Sequence, residues 1–385
     1  MKGKDFVKKY TMVLALILVF VLFTILTGGR LIMAQNISNL LLQNAYVLVM
    51  ACGMLLCILT GGNVDLSVGS TLCLSAAAAA KLMEGGSSPA TAVFVSLLIS
   101  AVIGIWQGWL VGYIHIPPFI CTLAGMFLFR GLARVILDSK TIAVMNPGFL
   151  KLFTSYIQIP GVDSLGNCPS AMVIGIIIAV CLTIFMIANR AKKAKQGYQV
   201  ASFVSTLIRV IIFDALIIAY ASRLMGYKGI PVMVIWILAI VLIFGFITSK
   251  TVFGRYFYAV GGNEKATKLS GIDPRKVYFW AYFLMSLLAG LSGLLVGARI
   301  GSVDGNMGNS YEMDAIASCF IGGASAYGGS GKISGVMVGA ILLGVINMGM
   351  SILGLPDQYQ YVVKGAVLLA AVIFDVVTNH KTGKS

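Results

Sequence analysis

The sequence predicts an all-α integral membrane protein, a polytopic bundle of about 10–12 transmembrane helices. Three observations carry this. Apolar runs long enough to span a bilayer recur along the whole 385-residue chain. Hydrophobic residues make up 59% of it and charged residues only 11%, a balance that no soluble core requires. The basic residues sit in short runs between the apolar ones, where membrane topology puts them.

Taken in order, the first apolar span is 11–28, preceded by Lys2, Lys4, Lys8 and Lys9. It has the shape of a signal peptide but no small-residue cleavage site follows, so it reads as an anchor. Further spans fall at about 38–60, 64–83, 90–114, 117–137, 171–189, 203–222, 229–249, 276–298, 313–330, 333–354 and 359–378. The segment 313–330 is rich in Gly and Ser and reads as a half-helix or re-entrant piece, while 117–137 carries Arg130 and Arg134. With the N-terminus in the cytoplasm and every segment crossing, seventeen basic residues lie inside and seven outside, which favours this orientation. Both termini are then cytoplasmic, as is 251–276, and 138–170 becomes the longest outside segment.

The net charge of +15 does not point to nucleic acid, because it is distributed by membrane topology. The seven cysteines are scattered, all but Cys168 in apolar stretches, and form neither a zinc pattern nor a disulfide framework. The string GGSGK at 328–332 imitates a phosphate loop, but the motif needs Gly at 326 and Ser or Thr at 333, where Ala326 and Ile333 stand. No nucleotide site, metal site or catalytic set is expected, and any ATP must be hydrolysed by a partner.

Glycines repeat at four-residue spacing in Gly104/Gly108/Gly112, Gly293/Gly297/Gly301 and Gly335/Gly339, the pattern that lets helix backbones approach closely in lipid. Gly61, Gly62, Asn63 and Asp65 interrupt an apolar stretch, as a tight turn with Asp65 capping the next helix or as an unwound break lining a pathway. Trp106, Gln107, Trp109 and Tyr113 precede Pro117-Pro118, either as interface anchors or as a stacking platform on a pathway, with Gln107 as its hydrogen-bonding group. Arg130, Arg134 and Asp138 share one helix face and read as salt-bridged near the outer boundary.

The most specific polar stretch is Thr251–Lys276, whose core reads as a short helix over 263–271. Asn263 caps it, Glu264 suits its positive end and pairs with Lys268 at i,i+4, and Gly271 ends it. Ala266, Leu269 and Ile272 give it a small apolar side. Asp273-Pro274 is a new helix start. A plain basic loop does not require Gly254-Arg255 and Gly261-Gly262-Asn263 around a defined helix.

GRYFYAVGGNEKATKLSGI at 254–272 resembles the cytoplasmic coupling segment of ABC-importer permeases of the ribose/galactose/xylose class. GGNVDLSVGS at 61–70, IPPFICTLAGMFLFRG at 116–131 and CFIGGASAYGGSGKISGVMVGAILLGVINMGMSIL at 319–353 resemble the same family in the same order. The likeness is greatest to multiple-monosaccharide or xylose-type permeases. Against the ribose type, 190–228 reads as an insertion with an added, peripheral span, within which Arg209 and Asp214 are paired or near the interface. The chain is then a single permease domain, 1–385.

The resemblance implies a fold like the cobalamin-importer class and a homodimer embedded in lipid. It also implies a cytoplasmic ATPase binding ATP and Mg, and an extracytoplasmic sugar-binding protein. Coupling residues are then Gly254, Arg255, Gly261, Gly262, Asn263, Ala266, Ser270 and Gly271, and pathway candidates are Asn63, Asp65, Trp106, Gln107 and Tyr113. An ion-coupled secondary sugar transporter is the alternative; it needs intramembrane acids, of which Asp65 and Asp214 are the candidates. A membrane-embedded enzyme lacks a catalytic set.

Overall fold

The computed structural model describes residues 3–164, 166–198 and 202–382, with side chains placed for 12–164, 166–198 and 202–373. The leading Lys2, Lys4, Lys8 and Lys9 and the closing Lys381 and Lys384, used above for orientation, have no described side chains. Every predicted span contains a helix. These are α1 (Gly3–Leu26), α2 (Ala34–Leu59), α3 (Val68–Glu84), α4 (Pro89–Gly112) and α5 (Pro118–Ile136). A short helix α6 (Pro147–Phe153) precedes α7 (Pro169–Lys195), α8 (Phe203–Met225) and α9 (Val232–Lys250). Two short helices, α10 (Val252–Gly262) and α11 (Glu264–Leu269), lead into α12 (Pro274–Ile300), α13 (Tyr311–Ile321), α14 (Ile333–Ile352) and α15 (Asp357–Thr382). Eight of the described helices are long and apolar enough to cross a membrane. The protein is an all-α, polytopic membrane protein.

Two small antiparallel pairings mark one end of the bundle. Strand β1 (Ile142–Ala143), after α5, pairs with β4 (Ser302–Val303), after α12. Strand β2 (Tyr156–Ile157) pairs with β3 (Ile230–Pro231), between α8 and α9. At the other end, Gly329 N donates to the Leu59 carbonyl at 3.0 Å, joining the end of α2 to the loop before α14. Segment 138–170 and segment 251–276 therefore lie at opposite ends.

The core is built on α12, which packs along α4, α2 and α3. The glycine stripe on α4 makes this possible. A Cβ at Gly104, Gly108 or Gly112 would lie 2.9, 2.7 or 2.5 Å from the backbone of Phe283, Phe279 or Arg275. Gly293 meets the Leu72 carbonyl in the same way, and Gly335 and Gly339 meet the carbonyls of Gly322 and Ser318. The stripe on α12 ends early: Gly297 touches only the Val303 side chain, and Gly301 instead caps the helix at φ +76°.

The segment at 313–330 is a broken crossing. Its helix α13 has 11 residues, a rise of about 16 Å and so about half of the hydrocarbon core. The other half is the loop after β4, which dips from the far end until Gly308 lies against Gly69 and Leu72 of α3. Irregular backbone at that depth needs donors from the protein. Arg130 supplies them to the carbonyls of Met307 and Gly305, and Arg134 reaches Asn306 Oδ1 at 3.0 Å. The expected salt-bridged face on α5 is not formed: both arginines hold the loop, and Asp138 lies 3.7 Å from Lys81.

At the head of α13, Asp314 accepts from Tyr46 Oη at 2.7 Å and pairs with Lys364 of α15 at 3.1 Å. The Tyr46 and Tyr311 rings stack at 3.8 Å. The α7–α8 hairpin lies outside this core, with most of both helices exposed. Within it Asp214 accepts from Thr183 at 2.6 Å, a hydroxyl on the adjacent helix, so of the two expectations for Asp214 the pairing with Arg209 is not the one formed.

The Asp314–Lys364 pair makes a testable point. Lys364→Met leaves a buried carboxylate uncompensated and is expected to cost about 3–5 kcal/mol. Lys364→Met with Asp314→Asn, which removes the charge but keeps an acceptor for Tyr46, should recover most of that loss. Thermal unfolding in detergent measures both, and a double variant no more stable than the single one contradicts the assignment.

Candidate functional site

The polar stretch 251–276 is two helices where the sequence predicts one. Thr251 caps α10 by accepting from Gly254 N at 2.9 Å. Gly254 itself is pressed against α9, where a Cβ would lie 2.0 Å from the Ile247 carbonyl. Phe257 and Val260 bury the inner face of α10, and Arg255 stays exposed. The chain then turns at Asn263, whose Oδ1 accepts from Ala266 N at 2.9 Å, the expected cap of α11. Gly271, at φ +84°, ends the segment as predicted.

Helix α11 is fixed by three bonds and otherwise stands free. Thr267, its one buried residue, donates to the Ala259 and Asn263 carbonyls, both at 2.7 Å. Glu264 accepts from Tyr278 Oη of α12 at 2.9 Å, so it turns to α12 rather than to Lys268. Ser270 folds back onto the Ala266 carbonyl at 3.0 Å. The apolar side made by Ala266 and Leu269 faces outward, Leu269 with 90% of its surface exposed, flanked by exposed Lys265 and Lys268. Asp273 caps α12, and the Arg275 guanidinium it accepts from holds its carboxyl below the usual carboxylate range. That contribution is complete at neutral pH and is lost as pH falls through the lowered value.

Glycine contacts join this unit to the bundle. A Cβ at Gly261 would lie 1.7 Å from the Leu59 carbonyl, and one at Gly62 would lie 1.9 Å from the Ala326 carbonyl. Tyr258 Oη donates to the Gly331 carbonyl at 2.9 Å. Gly262, by contrast, has open space around it and an ordinary φ, so nothing in the structure demands glycine there.

The predicted pathway residues separate into three places. Asn63 lines a cleft beneath α11 with Glu264, His115 and Tyr278, adjoining a space of about 430 Å³ that reaches Lys268 and Arg275. Asp65 is fully buried and accepts from Ser67 N at 2.8 Å and Ser67 Oγ at 2.7 Å, a local turn at the start of α3. Gln107, also buried, donates to Ser67 Oγ at 2.7 Å and accepts from Ser286 Oγ at 3.2 Å, tying α3, α4 and α12 together. Trp106 and Tyr113 stand on the outer edge of α4, 37% and 40% exposed, with Arg275 over the Tyr113 ring at 5.9 Å. The structure thus unites Asp65 with Gln107 and does not gather all five about one cavity.

Sequence reasoning missed the roles of Ser67, Ser286, Tyr258, Arg130 and Arg134. Only the arginines carried a signal, as cations inside an apolar segment.

The comparisons with known proteins agree with this architecture. The sequence profile described as branched-chain amino acid transport system / permease component matches residues 36–372. The chain is 34% identical over 375 residues to the xylose transport system permease protein XylH of Haemophilus influenzae, covering 97% of each chain. It is 32% identical to the Escherichia coli XylH, over 97% of this chain and 93% of the relative. The ribose import permease protein RbsC of Bacillus subtilis is 34% identical over 340 residues, 88% of this chain and 84% of its own. No solved structure matches. With that profile matched over residues 36–372 and the xylose and ribose permeases matched over most of its length, this chain belongs to the family described as branched-chain amino acid transport system / permease component, among its sugar permeases.

Proposed function

We propose that the chain is the membrane-spanning permease subunit of an ATP-driven importer for monosaccharides, pentose or hexose, in the bacterial inner membrane. The xylose and ribose permeases that it resembles over most of its length support the substrate class. They also favour a transporter subunit over an ion-coupled carrier. Asp65 sits in a local turn, its Oδ1 accepting from Ser67 N and Oγ while its Oδ2 has no hydrogen-bond partner among the described residues.

The observation that carries the coupling role is the outward apolar face of α11. An exposed Ala266–Leu269 surface on a helix that is capped and hydrogen-bonded to α10 and α12 fits a partner's cleft. The partner is a cytoplasmic ATPase, which binds the ATP and Mg. Ala266 and Ser270 lie at the contact, Arg255 on its flank, and Asn263 and Gly271 set the ends of α11. Gly254 and Gly261 seat α10, and Gly262 lies at the turn without a contact that requires glycine. In this reading both termini are cytoplasmic. The opposite end, with 138–170 and α6, receives the extracytoplasmic sugar-binding protein. Two copies of the chain, surrounded by lipid, form the translocation unit. Asn63 lies nearest the inner mouth, Trp106 and Tyr113 on a face open to the second copy or lipid, and Asp65 and Gln107 brace the helices behind them.

ATP-driven closure of the partner moves α11, and the helices joined to it carry the change across the membrane. Ala266→Arg places a bulky cation in the contact and should weaken the complex by about 2–3 kcal/mol, roughly 30–160-fold. Co-purification in mild detergent with the ATPase reads this out, and an undiminished complex sinks the assignment of α11. Asp65→Asn keeps the turn to Ser67 and should leave sugar uptake unchanged within about twofold. Loss of uptake with an intact ATPase complex would revive the ion-coupled carrier.

A further inference from the structure

The glycine-rich string at 328–332 fails as a phosphate loop, yet its position is specific. The loop closes on itself through Ser325 N to the Ser330 carbonyl at 2.9 Å and Gly328 N to the Ser325 carbonyl at 3.0 Å. Its tip is wedged between two other chain segments. Gly329 N donates to the Leu59 carbonyl, and Gly331 accepts from Tyr258. Added Cβ atoms at Gly328 and Gly329 would lie 2.5 and 2.9 Å from the backbones of Gly61 and Gly262. Both glycines also hold positive φ, +84° and +68°. Three segments therefore meet backbone to backbone: the end of α2, the end of α10 and the loop from α13 to α14.

At the Gly61–Gly328 and Gly262–Gly329 contacts no side chain lies between the parts, so no rotamer can yield there, and the one side chain in the joint, Tyr258, is tied to the Gly331 carbonyl. Any displacement of α10 must be shared by Leu59–Gly62 and by the loop. The loop in turn is the covalent link between α14 and α13, the half-helix of the broken crossing. We propose that Tyr258, Gly261 and Gly329 are positioning residues, and that loop 325–332 transmits the movement of α10–α11 to α13 and α14. The role of α11 described above is the basis of this inference. None of the three residues lies on the outward face of α11, so changing them leaves that surface intact.

The test uses the full complex, permease with its ATPase and binding protein, in proteoliposomes. Sugar uptake and ATP hydrolysis are measured together. Tyr258→Phe removes one hydroxyl and no volume from the joint. It should leave assembly and ATP hydrolysis within about twofold while raising the ATP consumed per sugar about fivefold, the equivalent of one lost hydrogen bond. Gly329→Ala, strained at positive φ, should raise that ratio further. An unchanged ratio in Tyr258→Phe overturns the proposal, and so does a parallel fall of uptake and hydrolysis, which is the mark of a merely structural role. If Ala266→Arg leaves the complex intact, it is the docking of α11 that has failed. If Ala266→Arg dissociates the complex and Tyr258→Phe changes nothing, only the joint has.

Discussion

Inside a bilayer a backbone amide or carbonyl has no water to turn to, and this constraint organises the protein. Long helices meet it by themselves. The informative places are those where the helix stops within the bundle and the chain finds other partners. The loop before α13 is held by the guanidinium groups of Arg130 and Arg134. The turn before α3 is held by Asp65, Ser67 and Gln107. The loop before α14 is held by Leu59 and Tyr258. Each break is therefore also a crosslink between helices that are distant in sequence.

This links the polar groups to mechanics. A bundle held only by apolar contacts can slide, because lipid and side chains solvate one another almost equally well. Here the slack is removed at a few points by hydrogen bonds and by glycines that bring backbones into contact. The α4–α12 stripe makes a rigid pair, and the joint beneath α11 ties a peripheral helix to the centre. The α7–α8 hairpin has few such ties and stays outside the rigid unit.

Much of the architecture was legible in the sequence because span length and hydrophobicity are local properties. The cap at Asn263, the stop at Gly271 and the half-helix at 313–330 were legible for the same reason. Helix α10 was not, because Gly254 and Gly261 look like loop residues; tertiary contact with Ile247 and Leu59 makes them helix residues. Helix α6 escaped in a proline-marked stretch too short to show a period. Pairings escaped too: Glu264 chose Tyr278, Asp214 chose Thr183, and Asp314 found Lys364, choices made by packing rather than by spacing.

The broken crossing bears on how the protein is made. Helix α13 is too short to partition into lipid alone and carries Glu312 and Asp314 in its first turn. Its loop needs α5 and Asp314 takes a hydrogen bond from Tyr46 of α2, both made before it, but the cation paired with Asp314 lies on α15, made after it. The charge on Asp314 is therefore matched only once α15 has followed α13 and α14. A chain truncated before α15 would leave Asp314 buried without its cation.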